Sequence, residues 1–232
     1  MNLALAFCSI RPMIYGIGMN DDREMEYLIA LRQMERVLPS TYDWRILDNT
    51  VENLDQIKSL SLRDFLASKS VSFVEGNTGT RNKGIGELNM LSYAHTNGLF
   101  LDYSKVSYLG GRNIITCPYF FERSEKLEKS ILVNNSPYLY FGEGVLDPPH
   151  PELFNTNAVT FKTQTLVDFI AYFLQPRVKS EMERMQIGVE QVLFHFIKEH
   201  CVSYEVIEWL GIIRNDWTRT HEVFNINNYH IM

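Results

Sequence analysis

Blocks of apolar and polar positions alternate along the first hundred residues. Residues 3–10 form a continuous apolar run closed by turn residues, the pattern of a strand buried on both faces. Asn20, Asp21 and Asp22 then offer capping side chains ahead of Met25, Leu28, Leu31, Met34 and Leu38. This apolar series is close to helical spacing, and Pro39 closes it. The unit repeats. Residues 42–47 are strand-like and run into Asp48-Asn49-Thr50, residues 54–66 are helical, and a third strand follows at 71–74. This order predicts adjacent parallel strands over residues 3–10, 45–47 and 71–74, joined by right-handed crossovers.

The second half is less regular. A segment rich in Gly, Asn and cations, residues 75–87, opens a helix whose apolar side carries Ile85, Leu88 and Leu91 and which ends near Ala94 and His95. Strands are expected at 106–109 and 114–116. Residues 134–157 contain Pro137, Pro148, Pro149 and Pro151 and read as irregular loop between strands. A strand at 158–162, a helix at 165–174 ended by Pro176, and a long helix over 178–200 complete the pattern. That last helix carries its main stripe at Met182, Met185, Val189, Val192, Leu193 and Phe196. Residues 209–232 hold aromatics but no periodicity that assigns an element. The fold class is α/β, a single Rossmann-like domain whose central, mostly parallel sheet is flanked by helices.

Composition narrows the class. With 232 residues, 45% of them hydrophobic and 12% aromatic, the chain is long enough for a full core and unlike a disordered one. The 22 basic against 28 acidic residues give a net charge of −6, which argues against nucleic acid as a partner. Cys8, Cys117 and Cys201 form no CxxC pair, so reduced thiols are expected, with neither a disulfide scaffold nor a zinc site. No window approaches the ~18 consecutive apolar residues of a membrane span, and the opening run lacks the basic region of a signal peptide. The expected address is the cytoplasm, with room for peripheral contact with a membrane.

Candidate chemistry gathers where an open α/β sheet binds ligands, outside the carboxyl ends of its strands. Three segments fall there: Ser9-Ile10-Arg11, Asp48-Asn49, and residues 77–87, which begin at Asn77. Within the third, Arg81-Asn82-Lys83-Gly84-Ile85-Gly86 puts two cations and two glycines at a helix N-terminus, where free N–H groups and the helix dipole attract a phosphate or diphosphate. Ile85 stands where a P-loop needs Ser or Thr for magnesium, so that motif is excluded. A tight turn with a solvated lysine would use the same residues.

The order of these segments, with Asn82-Lys83-Gly84-Ile85-Gly86-Glu87 opening a helix and a later strand leading to Gly111-Arg112, resembles a group of GT-A-like glycosyltransferases from bacteria and large DNA viruses. In that group an Asn-Lys-Gly-x-x-Glu motif is followed by Thr-Gly-Arg-Tyr and later by a helix bearing a Glu. The resemblance covers roughly residues 1–200. This chain matches Asn82, Lys83, Gly84 and Glu87, and Gly111-Arg112 in part, with Asn113 where the group carries an aromatic.

The resemblance implies a nucleotide-binding half over residues 1–100 and an acceptor-side half over 101–232. The donor would be a nucleotide-sugar and the acceptor a glycan or a lipid-linked species. Ser9, Arg11, Asp48, Asn49, Asn77, Arg81, Asn82, Lys83, Gly84, Glu87, Gly111 and Arg112 are the expected substrate-binding residues. GT-A enzymes usually hold a metal on an Asp-x-Asp after the fourth strand, and here Gly110-Gly111-Arg112 stands in its place. A guanidinium there would neutralise the leaving diphosphate with bidentate contacts, which implies a metal-independent transferase with no cofactor. A surface ion pair would equally occupy Arg112. Asp102 and Asp147 belong to no recognisable metal cluster.

Sugar transfer with inversion needs a base near the acceptor hydroxyl. Glu190 lies outside the main stripe of the late helix, beside Ile187, Phe194 and Ile197, where partial desolvation would raise its pKa, and it falls where the resembled group carries its late Glu. A solvated helix-face carboxylate is the plainer reading. His150, in Pro148-Pro149-His150-Pro151, is the second candidate base, ahead of His95, His195 and His200. No Gly-x-Ser-x-Gly elbow supports a hydrolase. A nucleotidyltransferase on a similar sheet and a non-catalytic nucleotide- or glycan-binding module are the alternatives.

Overall fold

The structure, a computed structural model, describes residues 1–11, 21–75, 83–134, 140–141, 144–145, 154–185, 187–207, 209–215 and 223–225. Its first half runs β1 (Asn2–Cys8), α1 (Asp21–Val37), β2 (Tyr42–Asp48), a 3₁₀ turn at Leu54–Gln56, α2 (Leu60–Ala67), β3 (Val71–Phe73), α3 (Lys83–Thr96) and β4 (Lys105–Gly110). There follow β5 (Asn113–Ile115), α4 (Tyr119–Glu125), β6 (Ile131–Asn134), β7 (Tyr140–Phe141), β8 (Gly144–Val145) and β9 (Asn155–Lys162). Then come α5 (Thr163–Phe173), α6 (Pro176–Met185), α7 (Val189–Glu199), β10 (Tyr204–Val206), β11 (Ile212–Asn215) and β12 (Val223–Asn225).

Seven strands form the central sheet in the order β10-β6-β9-β4-β1-β2-β3. The expected trio is present: β1 pairs in parallel with β2, and β2 with β3, while β4 joins the other side of β1. Only β9 runs against the rest, antiparallel to both β4 and β6. Its reversal puts residues 155 and 156 at the same edge as the carboxyl ends of the parallel strands.

Alternation along β1 builds two cores. Leu3, Leu5 and Phe7 face α3, α5, α6 and α7, whereas Ala4, Ala6 and Cys8 face α1, α2 and α4. Burying each large side chain contributes about 1.5 to 3 kcal/mol, so β1 is anchored from both sides. Some polar groups inside pair with one another, as where Thr160 of β9 meets the hydroxyls of Ser107 and Ser124, each at 2.7 Å.

Several expectations are corrected. The single helix over 178–200 is two helices, because the chain turns extended at Gly188, whose N–H donates to Gln191 Oε1 at 3.3 Å as α7 starts. Met185 is 60% exposed at the end of α6 and is no part of the stripe, while Val189, Val192, Leu193 and Phe196 are buried. Pro176 starts α6, a first-turn position where its missing N–H costs nothing. Met25 points outward at 47% exposure, and the stretch over 54–66 divides into the 3₁₀ turn and α2. The first strand stops at Cys8 because the next N–H groups turn to side chains.

Within 134–157 the short antiparallel pair β7 and β8 replaces an unbroken loop, the remainder lying mostly outside the described residues. The unassigned C-terminal stretch supplies β11 and β12, which with β5 make a three-stranded antiparallel sheet. Among the described residues, no helix is long and apolar enough to cross a membrane.

Candidate functional site

The sequence-predicted residues divide between the two faces of the sheet at its carboxyl edge. On the α1 face, Asp48 is wholly buried at the end of β2 and accepts four hydrogen bonds. They come from the N–H groups of Ile10 (2.8 Å), Thr50 (2.7 Å) and Val51 (2.9 Å) and from the Thr50 hydroxyl (2.8 Å). Burial pushes the Asp48 carboxyl above the ordinary range, with these hydrogen bonds pulling the other way. Asp48 thus ties the turn after β1 to the turn after β2.

Ser9 and Asn49 meet beside it, the Ser9 hydroxyl donating to Asn49 Oδ1 at 2.9 Å. Asn49 is buried, and its Nδ2 donor has no partner. An unmet buried donor costs about 1 to 3 kcal/mol, so it marks a place where a ligand or water carbonyl-type acceptor would be welcome.

Arg11 is held by a carboxylate that sequence reasoning missed. Its Nε and Nη2 donate to Glu24 Oε1 at 2.7 and 2.5 Å, and the Glu24 carboxylate also takes the backbone N–H groups of Lys58 (3.2 Å) and Ser59 (2.6 Å). Nearby, Arg23 donates to the Ser9 carbonyl at 2.9 Å and lies over the Tyr27 ring. Arg112 follows the same rule: its guanidinium donates to the buried Glu26 carboxylate at 3.3 Å. Glu24 and Glu26, at the start of α1, carry no local sequence signal for this role, since positions two apart on a helix do not share a face.

Gly111 has a packing reason to be glycine. A Cβ there would press into Cys8 Sγ and lie 2.9 Å from the Phe7 carbonyl, and its N–H already donates to that carbonyl at 2.7 Å. The Cys8 thiol, fully buried, is pushed up by desolvation and then by the neighbouring Asp48.

The other face assembles a different group. Tyr108 of β4 is buried with its ring stacked between Phe7 (5.4 Å) and Phe161 (6.1 Å). Its hydroxyl faces Thr156 of β9 without closing a hydrogen bond of ordinary geometry. Burial raises its pKa well above 10.0, and the charges of Glu87 on α3 and Glu190 on α7 raise it further. Thr156, itself buried, donates to Glu190 Oε1 at 3.2 Å. Glu190 stands in the first turn of α7, where the helix dipole favours its negative charge, and Gly188 leaves room for the carboxylate to fold back over the backbone.

Glu87 and Glu190, far apart in sequence, are therefore brought together around Tyr108 and Thr156. Ile197, expected beside Glu190 at a cleft edge, is instead in the core. Lys83 is the first residue of α3, on the face opposite α1 and Arg112, and Gly84 is buried in the same turn. Asn77, Arg81, Asn82 and His150 lie outside the described residues. His95 stacks on Phe100 at 5.9 Å. Among the described residues, no three His, Cys, Asp or Glu side chains converge to hold a metal ion, and the end of β4 offers Gly110, Gly111 and the Glu26-paired Arg112. These residues do not fit a metal site.

In fold, the chain is of the GT-A type found in nucleotide-sugar transferases, a mostly parallel α/β sheet flanked by helices. It is similar to a protein from Desulfovibrio desulfuricans assigned as a nucleotide-diphospho-sugar transferase (TM-score 0.53, 11% identity, 89% of this chain and 79% of that one). Mouse xyloside xylosyltransferase 1 matches with a TM-score of 0.51 at 14% identity, over 90% of this chain and 85% of that one. The 4-diphosphocytidyl-2C-methyl-D-erythritol synthase of Anaerococcus prevotii gives 0.52 at 12% identity, over 89% and 86% of the two chains. No model of a protein family matches the chain, and no curated protein matches it in sequence.

Proposed function

We propose that this protein is a glycosyltransferase that moves a sugar from a nucleotide-sugar donor to a glycan or lipid-linked acceptor. The observation that carries this reading is the convergence of Glu87, Glu190, Thr156 and Tyr108 at the carboxyl edge of a GT-A-type sheet. The nucleotide is placed over the ends of β1 and β2, where the unmet Asn49 Nδ2 donor suits a carbonyl of the base or a ribose oxygen. The diphosphate is placed at the N-terminus of α3, where the helix dipole attracts anions and Lys83 adds positive charge. Arg112, on the opposite face of the sheet, forms no joint clamp with Lys83 and belongs to the nucleotide side of the donor, where it shares its fork between Glu26 and a phosphate oxygen.

Glu190 accepts the proton of the acceptor hydroxyl as that oxygen attacks the anomeric carbon. The bond to the diphosphate breaks, and its negative charge is met by the α3 terminus and the cations, with no step assigned to a metal. Peripheral contact with a membrane would suit a lipid-linked acceptor. The test is thermal stabilisation by UDP, GDP, CMP and TDP sugars, each with and without EDTA. The reading expects one donor class to raise the melting temperature equally in both conditions, and stabilisation by none of them would overturn it.

Nucleotidyl transfer is the second reading, favoured by the likeness to the diphosphocytidyl-methylerythritol synthase. It predicts stabilisation by a nucleoside triphosphate and release of pyrophosphate.

A further inference from the structure

Resting on the reading of Glu190 as proton acceptor, we infer that Thr156 and Tyr108 are positioning residues, a hydrogen-bond chain that aims the Glu190 carboxylate and holds it ionised. The chain has a direction. Thr156 uses its only proton on Glu190 Oε1, so the free lone pairs of its oxygen are left for a donor. Tyr108 is that donor: its hydroxyl is buried, has no partner of ordinary geometry, faces Thr156, and stays protonated through the whole neutral range. Every proton in the chain therefore points toward Glu190.

Such an arrangement favours the anionic carboxylate, the form a base needs before reaction. Geometry holds both residues. The Tyr108 ring is clamped between Phe7 and Phe161, and Thr156 is buried within β9. Glu87 faces Tyr108 from α3 as well. Gly188 completes the device, because any side chain there would push into the Glu190 carboxylate.

The experiment is a pH titration of the Glu190 side-chain carboxyl by carbon-13 NMR in glutamate-labelled protein, its signal assigned by loss in Glu190→Gln. Thr156→Val keeps the shape and removes the donor. It is expected to raise the Glu190 midpoint by about one pH unit, the effect of losing one hydrogen bond to the charged form. Thr156→Ser restores the hydroxyl and should bring the midpoint back, and Tyr108→Phe should raise it by a smaller step. An unchanged midpoint in Thr156→Val, or a shift that Thr156→Ser fails to reverse, overturns the chain. This readout needs no substrate, so it separates failure of the chain from failure of the transferase reading. With a working donor, Thr156→Val should also lower kcat while leaving the donor KM within about twofold.

Discussion

The two faces of the sheet's carboxyl edge are built from the same kinds of residue and arranged in opposite ways. On the α1 face most of the charges named are paired, Arg11 with Glu24, Arg112 with Glu26 and Asp48 with four donors, while Arg23 meets the Ser9 carbonyl and the Asn49 amide is left unmet. On the α3 and α7 face two carboxylates approach a buried tyrosine whose hydroxyl makes no ordinary hydrogen bond. The difference teaches how to divide structural from functional polarity. A buried ion pair with satisfied partners holds loops in register, and removing one member is costly. A buried donor left unmet costs stability, and beside carboxylates at the carboxyl edge of such a sheet it marks a candidate site.

The largest effect that would break this division is on turnover. Glu190→Gln removes the proton acceptor and keeps the shape, so sugar transfer should fall about 10²- to 10⁴-fold while donor affinity stays nearly unchanged. A rate within about threefold of the parent in a steady-state assay would remove Glu190 from that role, with His150 next to be tested.

The second effect lies on the other face. Glu24→Ala strands the Arg11 guanidinium and the N–H groups of Lys58 and Ser59. Urea unfolding should show a loss of roughly 3 to 5 kcal/mol, against under about 1 kcal/mol for Glu190→Gln. Similar losses in both variants would erase the contrast.

Arg112 is where the two regions meet, and it sharpens the comparison. Arg112→Ala should weaken donor binding by about ten- to a hundredfold, the worth of a charge-assisted contact of roughly 1.5 to 3 kcal/mol, and EDTA should leave wild-type binding unchanged. Normal donor binding in a merely less stable variant would assign Arg112 to the structural network with Glu24 and Glu26. Collapse of wild-type binding in EDTA would redirect attention to metal ligands.

The smallest effect is a pH dependence. Asp48 has its carboxyl pKa raised by burial above the ordinary 3.8, so the folded chain holds that proton more tightly than the unfolded one. The stabilisation is complete below 3.8 and is lost as pH rises through the higher folded value. Compared with Asp48→Asn, the parent protein should therefore lose relative stability as pH climbs through that window. Parallel stability curves for the two would contradict the direction of the shift.

Local pattern carried the first hundred residues well, because each strand there is a short apolar run and each helix an amphipathic one, joined in sequence order. Ser9, Arg11, Asp48 and Asn49 were legible as a group for the same reason. Their pairing was not, since Glu24 and Glu26 lie in a helix whose outward Met25 and Ile29 disguise its buried acids. The break at Gly188 was signalled by the glycine itself within an otherwise continuous stripe. Tyr108 and Thr156 gave no local signal: they meet only because β9 runs backwards beside β4, a pairing set by tertiary packing. The strands at 212–215 and 223–225 are too short for periodicity to find.

The most direct measurement follows the product made from the donor that best stabilises the protein. Wild-type enzyme with an acceptor should release nucleoside diphosphate and a glycosylated acceptor, and Glu190→Gln should bind the same donor and release almost none. Pyrophosphate as the product, or nucleoside diphosphate released equally by both proteins, would contradict the account.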